Sequence, residues 1–232
     1  MPLRQWIKST NFAIEGILHG TKTQRHLRYH LYSAAFILIL SYILGVSRDD
    51  FLIIALTVIM VLLVELVNTS IEAVVDLLSP EHSEKARIAK DVAAGAVLTT
   101  AFGAAVIGYI ILLPHIRRWA LEGFRIAKHS GEEISIMALI LVLILVIITK
   151  AYLGRGTPLR GGIPSGHSAL AFSVWVTVVY TAESMVASLM TFVLAVLIAA
   201  SRVSSKIHTP REVVLGGLMG AALTFLLFQI FL

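Results

Sequence analysis

Seven apolar runs, at about 31–46, 51–75, 92–114, 135–149, 168–181, 185–200 and 213–232, constrain this chain more than any motif it carries. A helix needs about 20 apolar residues to cross the roughly 30 Å hydrocarbon layer of a bilayer, and a backbone inside that layer must satisfy its own hydrogen bonds. With 57% apolar and 14% charged residues, the 232-residue chain suits that solvent far better than water. The expected fold class is all-α, a polytopic integral membrane protein with about seven transmembrane helices. The opening stretch MPLRQWIKSTNFAIEGILHG has neither a long apolar centre nor a small-residue cleavage site, so it is expected not to be a cleavable signal. It reads as an N-terminal amphipathic helix that lays Trp6, Phe12, Ile14 and Leu18 on the membrane surface.

The longest polar break, HIRRWALEGFRIAKHSGEE, separates the third run from the fourth. It divides the chain into an expected first domain at 1–120, a linker at 121–134 and a second domain at 135–232. No internal repeat is visible. There are 0 cysteines, which excludes disulfides and thiolate metal sites. The net charge of +5 is spread through the loops, an arrangement suited to anionic headgroups and phosphate and not to nucleic acid. The two halves differ in their polar residues: carboxylates mark the first, cations and histidines the second.

The second run continues as VELVNTSIEAVVDLLSPEHSEKARIAKDVAAGAVL. At 100° per residue, Glu65, Asn68, Glu72 and Asp76 share one stripe of a helix, with Thr69 on its flank. A bare carboxylate in hydrocarbon costs several kcal/mol, so this stripe must face a protein interior or a wet cleft. Two readings fit: a structural network between helices, or a cation–phosphate site, since Mg²⁺ takes one or two carboxylates plus substrate phosphates. Lys90 and Asp91 open the next run, where a lysine can meet phosphate and an aspartate a ribose, an amine or a metal. No Walker loop or glycine-rich kinase loop is present, so a nucleotide site here is not a standard one.

This block, with FAIEGI and RHLRYHL before it, resembles the small prokaryotic diacylglycerol kinase and undecaprenol kinase family over about 1–120. The resemblance implies a three-helix membrane kinase, usually a trimer, that moves the γ-phosphate of MgATP to a lipid alcohol. It implies Glu65 as general base with Asn68 orienting the substrate, and Glu72 as a metal ligand. Asp76, Lys90 and Asp91, with Glu72, would line the nucleotide site. The sequence departs from the pattern at Gln24, where a second metal-binding glutamate is expected; a neutral amide is the weaker Mg²⁺ ligand.

In the second half, RGGIPSGHSALAFSVW sets a rigid polar turn before an apolar run. Ser165 is a candidate N-cap, the helix start behind it offers free N–H groups to phosphate, and Gly166 lets an anion come close. Lys150, Arg155, Arg160 and Arg202 flank this turn in the sequence. Downstream, SRVSSKIHTPRE spaces His208 and Glu212 at i, i+4, so on a helix the carboxylate can orient the imidazole. Two histidines suit metal-free phosphoryl transfer, one attacking phosphorus and the other protonating the leaving oxygen.

Together KAYLGRGTP, PSGH and SRVSSKIHTPRE resemble the three motifs of the type 2 phosphatidic acid phosphatase superfamily. That resemblance implies a phosphohistidine mechanism with no cofactor, His208 as nucleophile, Glu212 as its orienting carboxylate and His167 as general acid. Lys150, Arg155, Ser165, Gly166 and Arg202 would bind the phosphate. Thr157 replaces the arginine expected before Pro158, and Glu212 replaces an aspartate. The two helices that normally precede the first motif are missing.

The whole therefore reads as a bifunctional lipid enzyme of the prokaryotic inner (cytoplasmic) membrane, multi-pass and homo-oligomeric, with membrane lipids and MgATP as partners. A phosphatase with a kinase-like trimerising scaffold is one alternative. A non-enzymatic transporter or channel is another, although such a path predicts charges distributed through the later spans.

Overall fold

A computed structural model of the protein describes residues 2–79, 81, 83–123, 126–153 and 162–232. Among them every regular element is an α-helix: α1 (Pro2–Thr23), α2 (Arg25–Ile43), α3 (Arg48–Leu78), α4 (Glu84–Glu122), α5 (Gly131–Leu153), α6 (Gly166–Thr181), α7 (Met185–Ser204) and α8 (Pro210–Phe231). Five of these, α3, α4, α5, α7 and α8, are long and apolar enough to cross a membrane. The other two expected crossings fall on α2, which starts with Arg25 and Arg28, and on α6, which has 16 residues. Arg155, Arg160 and the Thr157–Pro158 step lie outside the described residues, as does the Trp6 side chain.

The chain forms two compact units, Thr23–Ala127 and Met1–Lys22 with Lys128–Leu232. Helix α1 thus groups with the later helices. Its Phe12 is 69% exposed, as an amphipathic surface helix requires, whereas Leu18 is buried, with Thr21 behind it.

In the unit of α2–α4, Ser47 caps α3 by accepting the Asp50 N–H, and Asp49 and Asp50 favour the positive end of the helix. Ser83 caps α4 by accepting the Ala86 N–H. The α2–α3 turn depends on Gly45, whose φ of +64° favours glycine; an added Cβ there would also meet Ala127 Cβ at 2.7 Å. The 31 residues of α3 span about 46 Å, well beyond the roughly 30 Å of hydrocarbon. With Arg48, Asp49 and Asp50 already polar at its start, most of the excess falls at its end. Asp76 there is exposed, while Glu65, 11 residues back, is buried.

In the other unit, α8 lies tightly along α6, and α5 packs on both through Val142, Val146 and Ala169. Leu170, Met219 and Leu223 close around that core. The approach of α8 to α6 is a matter of glycine. A Cβ added at Gly216 would land on the Ser165 carbonyl, and one at Gly220 on the Ala169 carbonyl. Without a hydrophobic drive between helices in lipid, such small residues are what lets two backbones close on each other.

Gly220→Val therefore forces α6 and α8 apart and is expected to cost about 1–3 kcal/mol of stability. Thermal unfolding of the detergent-solubilised protein measures it, and an unchanged midpoint would show that the two backbones do not meet there.

Candidate active sites

Helix α8 opens with a capping box: Thr209 Oγ1 accepts the Glu212 N–H at 3.4 Å, and Glu212 Oε2 accepts the Thr209 N–H at 3.0 Å. The same Oε2 lies 2.9 Å from His208 Nδ1, and Oε1 accepts the Gly162 N–H at 3.2 Å. A carboxylate has no proton to give, so Nδ1 carries the hydrogen of this pair and Nε2 keeps the lone pair. The backbone holds the ring from the other side, since the His208 and Ile207 N–H groups both donate to the Arg202 carbonyl at 3.2 Å. His208 is only 6% exposed. Burial, its largest influence, pushes its pKa below the ordinary histidine value; Glu212 works against that shift, and the charges of Lys150 and Arg202 work with it.

Helix α6 starts beside this clamp. Ser165 occupies the N-cap position, but its hydroxyl caps nothing: it is fully buried and accepts from Ser168 Oγ at 3.1 Å. Its N–H donates to the Glu212 carbonyl at 3.0 Å, which ties the beginnings of α6 and α8 together. Gly166 follows as the first residue of α6, and His167, exposed, as the second. Lys150 comes from the last turn of α5 and Arg202 from the last turn of α7, both half-buried. His167 feels Arg202, His208 and Lys150, and Lys150 feels Glu212 and Lys22, so these groups form one electrostatic cluster. Arg202 Nε is buried with no hydrogen-bond partner among the described residues. Sequence reasoning missed Lys22, which reaches the cluster through α1; its charge alone gave no sign of that.

The carboxylate stripe of α3 lies in the first unit. Glu65 and Asn68 are buried, and Glu72 is half-buried. Asn68 Nδ2 donates to Glu72 Oε1 at 3.0 Å, and Gln24 Nε2 approaches Glu72 Oε2 at 3.5 Å. Gln24 thus faces the carboxylate with which it was expected to share a metal. Asn68 Oδ1 is buried and has no hydrogen-bond partner among the described residues, so the amide that binds Glu72 also carries an unsatisfied oxygen. That donor set fits an oxygen-seeking cation such as Mg²⁺.

At the end of the stripe, Lys90 Nζ pairs with Asp76 Oδ1 at 2.6 Å. Asp76, Lys90 and Asp91 line a cavity of about 580 Å³ between the end of α3 and the start of α4. Arg87 lines it too, bridging Glu84 at 2.6 Å and Asp91 at 2.7 Å. Sequence reasoning passed over Arg87, although its i, i+3 and i, i+4 spacing to the two acids was there to be read. These pairs are exposed and screened by water, so each holds its partner only weakly.

The two sites define a class: a multi-pass membrane protein in which a lipid-kinase type of helical hairpin is fused to a lipid-phosphatase type. The chain belongs to the prokaryotic diacylglycerol kinase family, whose model matches residues 11–112, and joins to it a PAP2 superfamily half at 150–232. It is 36% identical over 114 residues to an undecaprenol kinase of Bacillus subtilis, covering 49% of this chain and 93% of that protein. It is 37% identical over 107 residues to a diacylglycerol kinase of a Synechocystis species, covering 46% of this chain and 61% of that enzyme. A diacylglycerol kinase of Haemophilus influenzae is 28% identical over 89 residues, 38% of this chain and 75% of that one. No solved structure matches the chain.

The environment of His208 is testable without any activity. Histidine NMR of the detergent-solubilised protein, assigned with His208→Ala, is expected to show its imidazole titrating below the ordinary 6.5 or so. Glu212→Gln removes the one influence that favours the imidazolium and is expected to move the midpoint lower still; an upward move would mean that Glu212 does not hold the ring.

Proposed function

We propose that the chain is a bifunctional membrane lipid enzyme, its 1–120 half phosphorylating a lipid alcohol with MgATP and its 135–232 half removing phosphate from a lipid phosphate, the two joined by 121–134. The observation that carries the phosphatase half is the clamp itself: His208 Nδ1 held 2.9 Å from a carboxylate that two backbone N–H groups also hold. In this reading Nε2 of His208 attacks phosphorus and the bond to the lipid oxygen breaks, with His167 giving that oxygen its proton. Water then attacks the phosphohistidine, His167 takes its proton, and phosphate leaves. Lys150, Arg202, Arg155 and the helix start at Ser165 and Gly166 bind the phosphate oxygens. No metal or cofactor enters the reaction.

In the kinase half, Glu65 takes the proton of the lipid hydroxyl and Asn68 orients that hydroxyl. Burial of Glu65, with Asp76 exposed at the far end of the same stripe, supports a lipid hydroxyl at one end and a nucleotide at the other. Glu72 holds Mg²⁺, and Asp76, Lys90 and Asp91 receive the nucleotide. Bound Mg²⁺ supplies charge neutralisation at the phosphates. The lipid alcohol is diacylglycerol or undecaprenol, both of which present a primary hydroxyl at the interface, and the protein works as a homotrimer in the inner membrane.

Gln24 favours one second reading, a phosphatase carrying the first unit as a trimerising scaffold, because an amide faces Glu72 where a carboxylate is expected. Thin-layer chromatography with labelled ATP and the two lipid alcohols separates the readings. Glu65→Gln is expected to lower lipid phosphorylation about 10²–10⁴-fold while dephosphorylation persists. Should wild type phosphorylate neither alcohol at any Mg²⁺ concentration, the scaffold reading stands. Gln24→Glu is expected to lower the Mg²⁺ concentration needed for half-maximal kinase activity, and an unchanged requirement would remove Gln24 from the metal site.

Dephosphorylation is expected to survive chelation by EDTA and to vanish in His208→Ala. Acid-labile phosphate trapped on the wild-type protein and absent from that variant completes the test; loss of turnover on chelation alone would overturn the metal-free reaction.

A further inference from the structure

Helix α7 rests mainly on α6 and meets α8 only lightly, and the space left between them is a cavity of about 450 Å³ with almost wholly apolar walls. Its lining follows a register. Along α8 it takes positions 210, 213, 214, 217, 218 and 221, and along α7 positions 196, 199, 200 and 203. Both sets follow i, i+3, i+4, i+7, so each is one face of its helix. The α8 set runs from Pro210 to Ala221, roughly 16 Å of helix. Small side chains make the room: Ala199 and Ala200 on α7, Gly217 and Ala221 on α8, with Trp175 of α6 as the back wall.

The position of one end gives the groove a meaning. Pro210 lies two residues from His208, and Val203 is next to Arg202, whose buried Nε has no partner among the described residues. A slot lined by hydrocarbon thus starts at the helix ends that carry Arg202 and His208 and runs away from them. Elsewhere the lipid-facing side chains of α7 and α8 are bulky, such as Leu194, Leu197 and Leu226.

We infer that this groove holds the hydrocarbon chain of the lipid phosphate. Its phosphate sits among Lys150, His167, Arg202 and His208, and one chain lies extended between α7 and α8. The inference rests on the phosphatase reading above and adds the substrate class to it: a phosphate ester of a long, slender aliphatic alcohol, or one acyl chain of a lipid headed by phosphate. A ligand lying in bilayer hydrocarbon gains nothing from burial as such, so the groove selects by shape. It admits a narrow chain and fixes the phosphorus relative to His208 before the reaction begins.

The test has two arms. In the first, hexadecyl phosphate carrying a diazirine near its chain end is photolysed with the full-length protein in nanodiscs, and adducts are mapped by mass spectrometry. Adducts are expected at 193–203 and 213–221, suppressed by excess unlabelled hexadecyl phosphate. Suppressible adducts confined to other helices would overturn the groove, whether or not the ester is hydrolysed. In the second arm, Ala221→Phe fills the far end of the slot, and turnover of hexadecyl phosphate is compared with that of phenyl phosphate. The ratio is expected to fall, because a chain that no longer fits the slot no longer fixes the phosphorus relative to His208. A parallel loss on both esters would make Ala221 merely structural and count against the groove. If wild type hydrolyses neither ester, the phosphatase reading fails, and the adduct map alone decides the groove.

Discussion

Hydrocarbon permits a backbone only where its N–H and C=O groups are already paired, and that constraint decides where this protein can do chemistry. Free N–H groups exist only at helix starts and free carbonyls only at helix ends. The described groups of the cationic cluster accordingly come from helix ends or the turn between two of them: Lys150 from the close of α5, His167 from the opening of α6, Arg202 from the close of α7, His208 from the turn that follows and Glu212 from the opening of α8. What aligns those ends is the close passage of α8 along α6. Gly216 and Gly220 let the backbones touch, and the Ser165 N–H then reaches the Glu212 carbonyl at 3.0 Å. A loop tethered across two packed helices holds an imidazole more firmly than either helix end does alone.

The other unit obeys the same rule by outgrowing the bilayer. Helix α3 is about 46 Å long, so a single stripe runs from the apolar layer into the interface. Along it the polar groups become steadily wetter, from buried Glu65 through half-buried Glu72 to exposed Asp76. A lipid hydroxyl and a nucleotide prefer different depths, and one long helix presents side chains to both.

Much of this was legible because it is local. Apolar runs gave helices, the i, i+4 spacing of His208 and Glu212 gave their 2.9 Å contact, and the stripe at 65, 68, 72 and 76 gave the Asn68–Glu72 hydrogen bond. What escaped depends on approach between distant segments. The motif position of Ser165 suggested a side-chain cap, but its hydroxyl turns to Ser168, because a backbone partner 47 residues on had already fixed the turn. The burial of Leu18 escaped because helical periodicity names a face without naming what covers it. Lys22 belongs with the later helices for the same reason: charge is written in the sequence and proximity is not.

One departure in the sequence acquires a physical reason from the cap of α8. A capping box needs a side chain at the third helical position long enough to reach back to the N-cap N–H, and glutamate serves where aspartate is short. Glu212 meets that need with Oε2, and the same oxygen receives His208 Nδ1 while Oε1 takes the Gly162 N–H. The extra methylene thus lets one residue terminate a helix, orient an imidazole and anchor the polar turn before α6. The electrostatics depend on the same residue. Burial, Lys150 and Arg202 all favour the neutral form of His208, the form the proposed attack on phosphorus requires, and Glu212 opposes them. On the proposed phosphohistidine route the phosphorylated ring would carry positive charge, and its contact with Glu212 would become an ion pair. On that route the carboxylate would favour the intermediate over the ground state, which is the direction in which an orienting carboxylate contributes to catalysis.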